Sequence, residues 1–346
     1  MERRSGHSRP LELPAVLITG VIMRYLCLAI ALLASPVFAQ QLTEPVLFNT
    51  KEADAIVSKM QIFPKDNPWN ADISAWPVAK NSAAIVASIG NDKPLRYNPD
   101  MAFVLVPPNQ AKIDIAVVEY PDESDKGPFP IPASIPIEGW PANFKRDDEL
   151  KKLTLDDVQR DKIKQGGDRH AIVVDPQAMM LYEFYQMKKT DKGWHCACEA
   201  TFDLKSNKLR PDGWTSSDAA GLPIFPSIIR HDELQAGEIN HALRVTVRNS
   251  RKAYVSPATH YASRKTDPNL PRMGERLRLR ADYDISKFSS PVQVILKALK
   301  KHGMLVADNG IEWALSCAPD ERIPVLHDEL RKVKGNAFEV VEAPAK

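Results

Sequence analysis

Residues 168–187 constrain the fold more than any other stretch. Two β-rich runs, 169–174 and 180–187, are separated by Asp175-Pro176-Gln177-Ala178, whose proline and carboxylate favour a turn. That arrangement predicts an antiparallel hairpin. Further strand-like runs follow at 103–106, 113–120, 194–204, 238–248, 275–281, 304–307, 311–315 and 338–341. Helical patterning is convincing in only two places: residues 290–301, opened by Ser290-Pro291 and closed by Gly303, and a final helix at 325–333. Strand–helix–strand units do not recur, which argues against a doubly wound sheet. The expected fold class is mainly β: an antiparallel β-sandwich or open barrel with a few peripheral helices.

The start of the chain sets a second boundary. Residues 23–40 read MRYLCLAIALLASPVFAQ. Arg24 supplies a positive n-region, an apolar core follows, and Val37-Phe38-Ala39 is a small-x-small cleavage site. This predicts a cleavable secretory signal with Met23 as the true start, cleavage after Ala39, and a secreted or periplasmic mature protein. The expected organisation is a signal peptide over 1–39, a lead-in over 40–62, and one β-rich domain over 63–346. Within that domain, the proline-rich run 121–141 reads as a rigid, extended loop.

Removing residues 1–39 leaves equal numbers of basic and acidic residues. No global charge then favours nucleic acid or a membrane surface, and no later segment is long and apolar enough to span a bilayer. Charge is uneven locally, with ten basic residues and two acidic ones between Arg244 and Arg280. In ERLRLRA the arginines alternate with leucines, so Arg276, Arg278 and Arg280 predict a ladder on one strand face. Such a ladder is either an ordinary solvated face or a strip for an acidic polysaccharide.

Three cysteines remain after the leader. An exported chain pairs its thiols, which predicts one disulfide to Cys317 from Cys198 or Cys196, both able to face it, with Cys198–Cys317 taken as the expected pair and the other thiol buried. The alternative, a C-x-C metal or redox site extended by His195, requires His195 on the cysteine face, and strand alternation turns it away.

Several polar residues fall on strand faces that otherwise look buried. In EINHALRVTVR, His241 shares a face with Leu243, Val245 and Val247, and Arg244 takes the other. His170 shares a face with Ile172 and Val174, and Glu183 with Leu181 and Tyr185. Such groups need partners: they are satisfied core groups or they line a pocket in the mouth of the β-structure. His260 adds a third imidazole, but no pair of histidines has close ligand spacing, so no metal and no cofactor is expected. The segment GWTSSDAAGLPIFPSIIRHDELQAGE holds Asp218 and Glu233, which with His241 are the candidate catalytic groups. Glycosidic hydrolysis needs two carboxylates flanking the bond, one with a raised pKa. Trp214 offers a stacking face. His170, Glu183, Trp214, Arg244 and His260, with the arginine ladder, are the candidate substrate-binding residues.

The runs FDLKSNKLRPDGWTSSDAAGLPIFPSIIRHDELQAGEINHALR, FPKDNPWN and VQVILKALKKHGMLVADNG resemble a family of exported bacterial proteins of uncharacterised activity, sometimes found in chains with carbohydrate-related modules. The resemblance covers most of the mature chain and implies a single domain from Phe63 onward. The expected function is a carbohydrate-active enzyme, a glycosidic-bond hydrolase or a lyase on an acidic polysaccharide. The alternative is a non-catalytic glycan-binding or envelope-associated module.

Overall fold

The computed structural model describes residues 42–164 and 166–344. The expected signal peptide and the expected start at Met23 lie outside the described residues. Strand exceeds helix, 23% against 19%, and no sheet closes into a barrel among the described residues. The sheets are mixed in orientation rather than antiparallel throughout.

The hairpin at 168–187 forms as its sequence requires. Asp175 Oδ1 accepts hydrogen bonds from the Gln177 and Ala178 amides at 3.0 and 2.8 Å, and strands Ala171–Asp175 and Met180–Tyr185 pair antiparallel with Ile172 opposite Glu183. Cys198–Asp203 adds to one edge. Phe103–Leu105 adds in parallel to the other edge and carries Val46–Leu47. Both faces of this five-stranded sheet are covered. Ile172, Val174, Phe103 and Leu105 join the large core, while Ala171, Val173, Val104 and Val106 join a smaller one.

The proline-rich run builds that smaller core. Phe129, Ile131, Ile135 and Ile137 are all buried in it, so the segment is an inner wall of the protein rather than an external loop. The run 194–204 is not one strand. It breaks at Ala197 into Gly193–Cys196 and Cys198–Asp203, which belong to different sheets.

A second sheet has six strands in the order Phe338–Val341, Arg276–Leu279, Met304–Asn309, Leu243–Val247, Ala314–Cys317 and Arg96–Pro99. Leu243–Val247 runs parallel to Met304–Asn309, and Ala314–Cys317 parallel to Arg96–Pro99. Parallel neighbours need long crossovers, and local turn signals say nothing of pairing between distant segments. Helix Ser290–Lys301 buries Val292, Ile295, Leu296 and Leu299. Its N-cap is Ser289, one residue before the expected cap. Helix Ser82–Ile89 is an addition, from an apolar run too short to show a helical period.

Residues 42–62 are part of the fold, not a lead-in. Thr50 caps helix Lys51–Val57 through the Ala53 amide at 3.1 Å, and that helix packs on helix His231–Ala236.

Two sequence expectations fail here for physical reasons. Cys196, Cys198 and Cys317 are all free and buried. Cys317 sits in the large core and Cys196 in the smaller one, while Cys198 Sγ lies 3.5 Å from Ser124 Oγ. The Cys198–Cys317 disulfide is therefore not formed. The arginine ladder is not a solvated strip either. Arg276 and Arg278 are buried; Arg276 donates to the His302 and Pro68 carbonyls. Arg278 donates to the Ile73, Ser74 and Trp76 carbonyls and pairs with Glu339. Arg280 alone is exposed, paired with Asp282 at 2.7 Å.

Arg276 and Arg278 thus fasten residues 68–76 onto the second sheet. Arg278→Met is expected to lower the unfolding free energy by about 3 kcal/mol, because it strands Glu339 and three carbonyls together. A urea midpoint unchanged in this variant would remove the clamp from the account.

Candidate functional site

Loop 205–224 has little regular structure yet is tightly held. Arg210 donates to the Thr215 carbonyl at 2.7 Å, to Asp125 at 2.7 Å and to the Glu123 carbonyl at 2.6 Å. Ser216 Oγ donates to the Leu222 carbonyl and accepts from the Asp218 amide. The Ala220 amide reaches the Ala307 carbonyl on the second sheet at 3.0 Å. These bonds fix Asp218, which is wholly buried.

Opposite Asp218 stands Arg244, on the central strand Leu243–Val247. Its guanidinium is bidentate to Asp218, at 2.8 and 2.9 Å. It also donates to Ser316 Oγ at 2.7 Å and lies 3.5 Å from Asp308 Oδ2. Burial works against its charge, but Asp218 outweighs burial and keeps the guanidinium firmly protonated.

The first sheet contributes from the other side. His170 Nδ1 lies 3.0 Å from Glu138 Oε2, and Nε2 lies 3.0 Å from the Ser217 carbonyl. Glu183 accepts from the Ile224 and Phe225 amides at 2.8 to 3.0 Å. Backbone bonds from Glu138 to His170 and from Gly139 to Asp100, at 2.8 and 2.7 Å, draw the proline-rich run into the same place.

Charge is divided unequally among these carboxyls. Burial and the Asp218 charge push Asp308 up to about 7, against the pull of Arg244. Burial would also raise Glu138, but His170 outweighs it and holds Glu138 below the usual range. The reciprocal effect raises His170 to about 9 although burial opposes it. Burial and then Glu138 raise Asp100, and burial lifts Glu183 to about 7 against its backbone donors. Glu138 and Asp308 keep contact with solvent, at 22% and 21% side-chain exposure, whereas Asp218, Glu183 and His170 do not.

No family model, curated protein or solved structure matches this chain.

An aromatic wall adjoins the centre. Tyr254 and Tyr261 stack with ring centroids 6.3 Å apart, and His260 and Tyr261 at 5.6 Å. His260 Nδ1 meets the Ala219 carbonyl at 2.8 Å, and Asn309 donates to the Ala262 carbonyl at 2.9 Å. The wall is thereby anchored to the neighbours of both Asp218 and Asp308. Gly221, at φ +73°, permits this approach; a Cβ there would collide with Thr259 Oγ1 and the Trp214 carbonyl. Trp214 belongs to the same wall, with Arg210 over its ring at 5.5 Å.

The structure therefore gathers His170, Glu183, Asp218, Arg244 and His260, with Trp214 at the rim. Glu233 and His241 stand apart from it, in a cavity of about 300 Å3 beside Met60, Trp69 and Asn240. There Glu233 Oε1 accepts from Arg230 at 2.7 Å and lies 2.7 Å from His241 Nε2. Asp218 does not line that cavity, and its oxygens are enclosed against Arg244. Asp218 and Glu233 therefore do not flank a common bond; the solvent-reaching carboxyls beside His170 and Arg244 are Glu138 and Asp308. Glu138 lay hidden in the proline-rich run, although a carboxylate among Ile135, Ile137 and Trp140 was a signal. Asp308 falls just beyond the expected strand 304–307; the strand extends through it, Met304–Asn309. Asp100 and Ser316 carried no sequence signal.

Proposed function

We propose that the chain is an exported hydrolase of glycosidic bonds, working at the Glu138–Asp308 centre. What supports the reading is that two solvent-reaching carboxyls beside His170 and Arg244 are pushed in opposite directions: Asp308 up to about 7 by burial and the Asp218 charge, and Glu138 down by His170 against its burial. Divergent carboxyl pKa values are how a site assigns acid and base at one pH. Asp308 would give its proton to the leaving oxygen as the glycosidic C–O bond breaks. The Glu138 side would take a proton from the water whose oxygen forms the new bond to the anomeric carbon. Arg244 positions Asp308, and the Tyr254–His260–Tyr261 wall supplies amphipathic faces for a sugar. The leader supports export. The resemblance to exported proteins in chains with carbohydrate-related modules supports the substrate class.

The test is a reducing-end assay of the purified protein on a panel of neutral and acidic polysaccharides. Asp308→Asn and Glu138→Gln are each expected to lower kcat by about 10²–10⁴-fold. Glu138→Gln also lowers the melting temperature, because it takes the ion-pair partner from buried His170, so kcat is read well below that temperature. The kcat of the parent should fall as pH rises through about 7, where Asp308 loses its proton. Turnover that survives Asp308→Asn, or no turnover on any glycan, overturns the reading. Retention of a glycan without product release would support the non-catalytic module instead.

A further inference from the structure

One edge of the centre has more ligand-type atoms than acid–base chemistry uses. A Glu138 oxygen, an Asp168 oxygen and a His170 ring nitrogen all lie within 4.8 Å of one another. Local structure brings them there. His170 directly precedes strand Ala171–Asp175, Asp168 is exposed at its approach, and the Glu138 amide is bonded to the His170 carbonyl at 2.8 Å.

The ring of His170 is locked. Its Nε2 lies 3.0 Å from the Ser217 carbonyl; a carbonyl only accepts, so Nε2 carries the hydrogen. Nδ1 is the atom turned toward Glu138, at 3.0 Å from Oε2; the hydrogen it shares with that carboxylate is the one an incoming ion displaces. Metal-binding imidazoles are anchored in this way, with the second ring N–H on a backbone carbonyl. The separation also fits: two atoms each about 2.1 Å from one ion, at right angles, are about 3.0 Å apart.

A second observation points the same way. Asp100 Oδ1 is fully enclosed and has no hydrogen-bond partner, and Glu138 is its foremost charged neighbour. An enclosed oxygen without a partner points to a water or an ion that the described residues do not supply. The contrast within the molecule is informative. Asp54, His231 and Asp320 also converge, but there Arg322 fills the gap, reaching Asp54 at 2.7 Å and Asp320 at 2.9 Å. At Glu138, Asp168 and His170 no guanidinium or ammonium group within hydrogen-bond reach does so among the described residues.

We propose that Glu138, Asp168 and His170 bind a divalent transition-metal ion, Mn2+ or Zn2+, leaving positions open to water. One imidazole and two carboxylates suit these ions better than Ca2+, which takes oxygen ligands throughout. The catalytic consequence rests on the hydrolase reading: the ion would acidify the water that attacks from the Glu138 side. The binding itself does not rest on it.

Isothermal titration of the EDTA-stripped, dialysed protein with MnCl2, ZnCl2 and CaCl2 tests the site, with Mn2+ electron paramagnetic resonance as a second readout. One Mn2+ or Zn2+ per chain is expected, with Ca2+ at least tenfold weaker. Asp168→Asn should weaken binding about 10–100-fold; because Asp168 is exposed, the melting temperature of the stripped protein should not move. No binding of either ion, or binding indifferent to both Asp168→Asn and Glu138→Gln, overturns the proposal. Metal binding without glycan turnover would keep the site and remove the hydrolase. EDTA-resistant turnover without metal binding would do the reverse.

Discussion

Arg244→Met is expected to lower the unfolding free energy by about 3–5 kcal/mol, the usual cost of leaving one partner of a buried ion pair alone. Asp218 is wholly buried, and two of its contacts are the bidentate bonds from Arg244. Ser316 Oγ and Asp308 lose the same partner. Methionine replaces much of the volume and none of the charge, so the loss reports electrostatics rather than a cavity. The pair Arg244→Met with Asp218→Asn should recover a large part of it, since no buried charge is then stranded. Urea unfolding of the four proteins gives the coupling directly. A loss below about 1 kcal/mol in the single variant would mean that water or a relaxed loop 205–224 solvates Asp218, contrary to its burial.

The second large effect runs in the opposite direction. Glu199 is wholly buried; its Oε1 accepts from Thr201 Oγ1 at 2.7 Å, and its Oε2 has no partner. Burial pushes its carboxyl up to about 8, and Asp125 adds to the shift while Thr201 and Arg210 resist it. Between the ordinary glutamate pKa and about 8 the unfolded chain has released this proton and the folded chain has not. Stability contributed by the group is therefore full in acid and is lost as pH rises, by about 1.4 kcal/mol per unit across that window. Glu199→Gln keeps the shape and cannot ionise. It should match the parent near pH 5 and exceed its stability by about 2–3 kcal/mol at pH 7. Parallel pH–stability curves for the two proteins would show that Glu199 ionises freely in the fold.

What the sequence disclosed followed from how local each feature is. The hairpin at 168–187 was legible because Asp175 makes its own turn, and Phe338–Val341 because its β-rich run ends at a break. The parallel pairs were not legible, since Leu243 finds Met304 and Arg96 finds Ala314 across long stretches of chain. Alternation placed His170 and Glu183 on an inward face, and both do lie in the polar centre. It misjudged Arg276 and Arg278, because alternation distinguishes the two faces of a strand but not which is solvated. Both faces of Arg276–Leu279 are buried. His241 was legible as a polar group needing a partner, and it finds Glu233 at 2.7 Å. That they share a cavity without Asp218 is a matter of distance, which no spacing along the chain encodes.

The six-stranded sheet also sets a timetable for synthesis. Arg96–Pro99 has its neighbour in Ala314–Cys317, and Arg276–Leu279 is flanked by Met304–Asn309 and Phe338–Val341. Neither strand can be enclosed until its partners at 314–317 and 338–341 have emerged. Assembly of such non-local pairings is slow, because loop closure must precede any reward. The six-stranded sheet therefore stays open at these strands during synthesis, whereas the first sheet, whose strands all lie before residue 204, can already pair. The same schedule makes it a client for holdases, and a ribosome stalled near residue 300 would release a product with open sheet edges, prone to aggregate.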